Sequence, residues 1–102
     1  MRKVSIAFDV DGTLRCNCTD TCQDPNGDIV ELFRILNKFK NTRLYIWSGG
    51  GASYAYSFAK RFNLGVGEAR CLSKFDGFKP DIAIDDIQDT ALGIMNLIVR
   101  EK

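Results

Sequence analysis

Residues 8–14 read FDVDGTL, which sets Asp9 and Asp11 one residue apart behind an apolar lead-in, VSIAF. On an extended backbone such alternate side chains point to the same face, so the spacing predicts that both carboxylates share one site. Two close carboxylates cannot both stay ionised cheaply unless a cation sits between them. A hard cation such as Mg²⁺ takes carboxylate oxygens together with water and phosphate. A second acid pair, Asp85 and Asp86, ends another apolar run, IAIDD. Carboxylates at 9, 11, 85 and 86, with no nitrogen or sulfur ligand among them, favour Mg²⁺ over zinc. Lys74, and the hydroxyl and backbone N–H groups of Ser48-Gly49, offer positive or donor groups to an anion. The chain has no histidine, which removes His-based triads, bases and metal ligands. Carboxylates, a cation and an anion cradle suit phosphoryl transfer through an aspartyl-phosphate.

These residues need elements to position them. KVSIAF (3–8) reads as a buried strand, and RCNCTDTCQDPNG (15–27) as a loop. Ile29, Leu32, Phe33, Leu36 and Phe39 recur at helical spacing, predicting a helix over 28–40 with Asn26 or Asp28 as N-cap. RLYIW (43–47) is a second strand, stopped by SGGG, and 52–62 a second helix. ARCL (69–72), DIAI (81–84) and NLIVR (96–100) complete the strands, with a short helix around 87–92. One continuous helix from 87 onward is the alternative, opposed by Gly93 and the β-branched run. Strands alternating with helices predict a parallel sheet with right-handed crossovers. Ligands bind such sheets at the carboxyl ends of the strands. Asp9, Ser48, Lys74 and Asp85 each follow a different strand, so four strand ends deliver polar groups to one rim.

The length of 102 residues fits one domain, 1–102. A net charge of +1 gives no bulk attraction to nucleic acid or anionic lipid. Strong nonspecific nucleic-acid binding is therefore not expected, though a nucleic-acid end remains open as a substrate. No run approaches transmembrane length, and the start lacks the length and cleavage site of a signal peptide. The expected compartment is the cytoplasm, where Cys16, Cys18, Cys22 and Cys71 should be reduced.

DVDGTL resembles the DxDGT motif of the haloacid dehalogenase-like hydrolases, and WSGG, a following lysine and IAIDD resemble that superfamily's later motifs in order. The resemblance covers nearly the whole chain. It implies a three-layer Rossmann-like α/β fold around a central parallel sheet, with no cap domain. It further implies a Mg²⁺-dependent phosphatase hydrolysing a phosphomonoester: a phosphorylated metabolite, a nucleotide, or a nucleic-acid or protein phosphate. Asp9 would be the nucleophile. Asp11 would protonate the leaving group and then activate water. Thr13 would help fix the aspartates, and Ser48 with the Gly49 amide would hold phosphoryl oxygens. Mg²⁺ would be held by Asp9, the Asp11 backbone carbonyl and Asp86, with Asp85 direct or one shell out. A lysine would offset charge. Lys74 and Lys79 both precede the IDD strand. Lys79 is followed by proline, as the superfamily's lysine often is, but Lys74 directly follows a strand and is favoured because sites form at strand carboxyl ends.

Taken alone, Asp11-Gly12 reads equally well as a solvated turn; the convergence of four strand ends is what favours a site. Tyr45, Trp47, Tyr54, Tyr56 and Phe58 read as core and helix packing rather than a base-stacking platform. Three cysteines in loop 15–27 could hold zinc with Cys71, but their spacing is not that of a standard knuckle. A mobile loop of reduced thiols beside an open site is the favoured expectation. The rival function is a phosphoryl-binding or regulatory domain without turnover, either receiver-like or a vestigial relative of the same hydrolases. Substrate identity and oligomeric state are not written in the sequence.

Overall fold

The apolar run before Asp9 folds as strand β1 (Val4–Asp9), which continues one residue past its expected end. The computed structural model describes residues 2–16, 24–74, 76–87 and 92–99. After β1 come α1 (Gly27–Asn37), β2 (Thr42–Ser48), α2 (Ala52–Arg61), a 3₁₀ turn at Glu68–Arg70, then β3 (Cys71–Ser73), β4 (Ile82–Asp85) and β5 (Met95–Ile98). The five strands form one all-parallel sheet in the order β3-β2-β1-β4-β5. β1 is central, paired with β2 along its whole length and with β4 from Ile6 to Phe8. The α/β class and the parallel sheet are as expected.

Right-handed crossovers explain the layering. The chain walks β1 to β2 to β3 in one direction, which puts α1 and α2 on the same face. Val30 and Phe33 of α1, and Ala55, Phe58 and Ala59 of α2, pack there against Ile6, Phe8, Leu44, Ile46 and Ile84. Phe8 and Phe33 meet edge to face at 5.0 Å. The connection to β4 then passes under the opposite face. Phe78 covers Tyr45 at 4.7 Å and Trp47 at 6.5 Å, and Leu92 joins the same cluster. Among the described residues, helices therefore cover one face only, and the expected three-layer arrangement is not seen. The short helix expected around 87–92 falls largely on residues 88–91, outside the described ones.

The alternative of a continuous helix from 87 onward is overturned by β5. The Ile94 N–H donates to the Pro80 carbonyl at 3.2 Å and the Met95 N–H to the Asp81 carbonyl at 2.8 Å, which draws the chain onto β4. Gly93 allows that approach: a Cβ there would lie 3.0 Å from the Ala83 nitrogen. Helix α1 stops at Asn37, three residues before its expected end. The Thr42 hydroxyl donates to the Leu36 carbonyl at 2.5 Å and reaches that of Phe39 at 3.1 Å, so it takes up carbonyls that the helix end leaves open. Asn26 sits at the N-cap, yet its side chain makes no capping bond.

The sheet reverses direction of growth between β1 and β4, which makes their carboxyl ends the topological switch point, the usual place for a ligand crevice. Asp9 ends β1 and Asp85 ends β4. No helix among the described residues is long and apolar enough to cross a membrane.

Candidate functional site

Asp9, Lys74 and Asp85 meet at the switch point, all three nearly sealed from solvent. Lys74 Nζ lies 2.9 Å from Asp9 Oδ1 and 2.8 Å from Asp85 Oδ2. The lysine gets there because it directly follows β3, and its own N–H donates to the Ser48 carbonyl at 3.0 Å. Lys79, the alternative lysine, is exposed. The Ile87 N–H donates to Asp85 Oδ1 at 3.0 Å and fixes that carboxylate from behind.

Asp86 supplies a third acid. One carboxylate oxygen each from Asp9, Asp85 and Asp86 lie within 4.8 Å of one another. Asp86 rests on Gly12: a Cβ at Gly12 would stand 2.7 Å from Asp86 Cγ, and the Gly12 φ of +79° lies in the left-handed region. Gly12→Ala combines strain with collision. It is expected to lower stability by roughly 2 kcal/mol, seen as a lower urea midpoint. An unchanged midpoint would show that nothing depends on this contact.

Three carboxylates around one ammonium leave surplus negative charge in a desolvated place. Burial, then repulsion from Asp85, pushes the Asp9 carboxyl up to about 7 against the pull of Lys74. Burial, then its interaction with Asp85, raises the Asp86 carboxyl as well. Burial alone would lower the Lys74 pKa, but Asp85 and Asp9 outweigh it and raise it. The three carboxylate oxygens could together hold a metal ion.

The carboxylate of Asp11 departs from expectation. The chain curls straight after Asp9: the Thr13 and Arg15 N–H groups donate to the Val10 carbonyl at 3.3 and 2.8 Å, and that of Leu14 to Asp9 at 3.2 Å. Regular alternation along an extended strand ends there, so the strand alone does not set where the Asp11 side chain lies. Its Oδ1 accepts instead from Arg15 Nε at 2.8 Å and from the Tyr54 hydroxyl at 2.6 Å. It is not one of the three clustered acids. Sequence reasoning missed Arg15 and Tyr54. Tyr54 reads in the sequence as helix packing, and the available signal is its place in the first turn of a helix that follows SGGG.

Thr13 is fully buried, but its hydroxyl finds no partner among the described residues, so it holds the turn through its backbone N–H. Ser48 is buried at the end of β2, and its Oγ accepts from the Gly50 N–H at 2.9 Å. Gly49 stands exposed beside it. Gly51, with φ of +107°, opens α2 without a side-chain cap, and so leaves first-turn N–H groups toward the rim.

The loop after the first strand is closed at its base. The Cys16 N–H donates to the Asp24 carbonyl at 2.8 Å and the Asn26 N–H to Leu14 at 2.7 Å. Cys18, Cys22 and the expected loop mobility lie outside the described residues. Cys71 is a free thiol buried in the helix-side core, 3.6 Å from the Gly67 carbonyl oxygen.

The fold and site together define an α/β protein with a lysine-bridged acidic cluster at the switch point of a parallel sheet. No protein-family model, curated protein or solved structure matches the chain.

Proposed function

We propose that this chain is a Mg²⁺-dependent phosphomonoester hydrolase of the haloacid dehalogenase-like kind, with a Rossmann-like layout and no cap domain. The observation that carries the reading is Lys74 held between Asp9 and Asp85, with Asp86 beside them, at the switch point. Asp9 would attack phosphorus, forming an Oδ–P bond as the ester P–O bond breaks. Lys74 would offset the charge gathered between Asp9 and the phosphoryl group. Ser48 and the Gly49 amide would hold phosphoryl oxygens, next to the open N-terminus of α2. Asp11 would give its proton to the departing oxygen and then take one from the water that hydrolyses the acyl phosphate. Asp9, Asp85 and Asp86 would hold the Mg²⁺, whose charge would keep Asp9 ionised and draw the phosphate in. A reducing, cytoplasmic setting suits the free Cys71 thiol.

Hydrolysis of p-nitrophenyl phosphate with Mg²⁺, set against the same chain in EDTA, tests the reading. Turnover should appear with Mg²⁺ and fall at least about 10²-fold in EDTA. Equal rates in both would remove the metal from the reaction. An acyl phosphate that forms but does not turn over would favour the non-turnover, phosphoryl-binding alternative.

A further inference from the structure

Two donors from different parts of the chain converge on one oxygen of Asp11. Arg15 Nε reaches Oδ1 from the turn that follows β1, at 2.8 Å. The Tyr54 hydroxyl reaches the same atom from the first turn of α2, at 2.6 Å. The Asp11 side chain is otherwise 51% exposed, while that of Arg15 is 11% exposed. The Tyr54 ring also braces the turn beside Ser48: a Cβ at Gly50 would lie 3.3 Å from Tyr54 Cδ2 and 3.3 Å from Ser48 Oγ. Tyr54 therefore spans the distance from the Ser48–Gly50 turn to the Asp11 carboxylate. An exposed aspartate rotates freely about its two side-chain bonds. Two donors on Oδ1 hold the carboxylate in one orientation.

We propose that Tyr54 is a positioning residue: with Arg15 it fixes the Asp11 carboxylate so that Oδ2 faces the leaving-group oxygen. This inference rests on the phosphatase reading above. In the step it supports, the Asp9 Oδ–P bond forms, the ester P–O bond breaks, and the Asp11 proton moves to the departing oxygen to give a neutral alcohol. Tyr54 touches neither phosphorus nor the leaving group; it acts through Asp11 alone.

Leaving-group dependence separates this role from a structural one. A p-nitrophenolate departs without a proton, whereas an alkoxide requires one. Tyr54→Phe removes only the hydroxyl and should fold normally, as circular dichroism and the urea midpoint would verify. With Mg²⁺ present, its kcat/KM for p-nitrophenyl phosphate should stay within about twofold of wild type, while that for an alkyl phosphate should fall about tenfold, part of the roughly 10²–10⁴-fold that proton transfer contributes. Equal losses on both esters, or no loss on the alkyl ester, would overturn the role of Tyr54 while leaving the phosphatase reading intact. A wild-type chain that hydrolyses neither ester would overturn that reading and this inference with it.

Discussion

Asp9→Asn should lower phosphatase turnover by at least about 10⁴-fold and still raise the stability of the metal-free protein at pH 7.5. The first effect follows from chemistry, because a carboxamide is far too weak a nucleophile to form the acyl phosphate. The second follows from the cluster. Burial and then Asp85 push the Asp9 carboxyl up to about 7, from 3.8 in an unstructured chain. The folded state therefore keeps a proton that the unfolded state has lost, and stability falls as pH rises from about 4 through 7. Asparagine is neutral at every pH and escapes that loss. One pKa unit corresponds to about 1.4 kcal/mol, so even with the ion pair to Lys74 forfeited, the variant should gain roughly 1–2 kcal/mol at pH 7.5 and nothing near pH 4. Urea unfolding in EDTA at the two pH values measures this. A variant less stable than wild type at both would mean that Asp9 serves the fold as an ordinary ion-pair partner, and that its ionised form is not held at a cost.

What the sequence made legible follows from which rules survive folding. Asp9, Lys74 and Asp85 were readable because each directly ends or follows a strand, and a parallel sheet carries all such positions to one rim whatever the side chains between them. The preference for Lys74 over Lys79 rested on the same geometry. The partners of Asp11 were not legible because the alternation rule holds only while the chain stays extended, and the turn from Val10 to Arg15 begins one residue too early for it. Gly12, with its positive φ, belongs to that turn. Strand order was not legible either. The alternation of elements gives a parallel sheet, but which side of β1 each strand joins depends on tertiary packing, and that choice put both helices on one face. The Tyr54 contact joins residues 43 positions apart, beyond the reach of any local periodicity.

Lys74→Met should show the largest stability loss, about 3–5 kcal/mol at pH 7.5 without divalent metal, because it leaves buried carboxylates with no cation between them. Lys74 is the described cation that ties Asp9 to Asp85, and both carboxylates are buried. The sign of the pH dependence identifies the cause. Without the ammonium, the Asp9 and Asp86 carboxyls, already raised in the wild type, rise further and take up protons sooner as pH falls. The loss should therefore shrink by more than half at pH 5, where the unfolded chain keeps most of its carboxylates ionised and the folded cluster does not. Mg²⁺ at pH 7.5 should restore part of the stability if the same acids hold it, since a ligand bound only by the folded state adds to its stability. Lys79→Met, at an exposed position, should change stability by less than about 0.5 kcal/mol under every condition. A Lys74→Met loss independent of pH would assign the effect to packing of the lysine's methylene chain. Comparable losses in the two variants would mean that the charge at the switch point is not balanced by Lys74 alone.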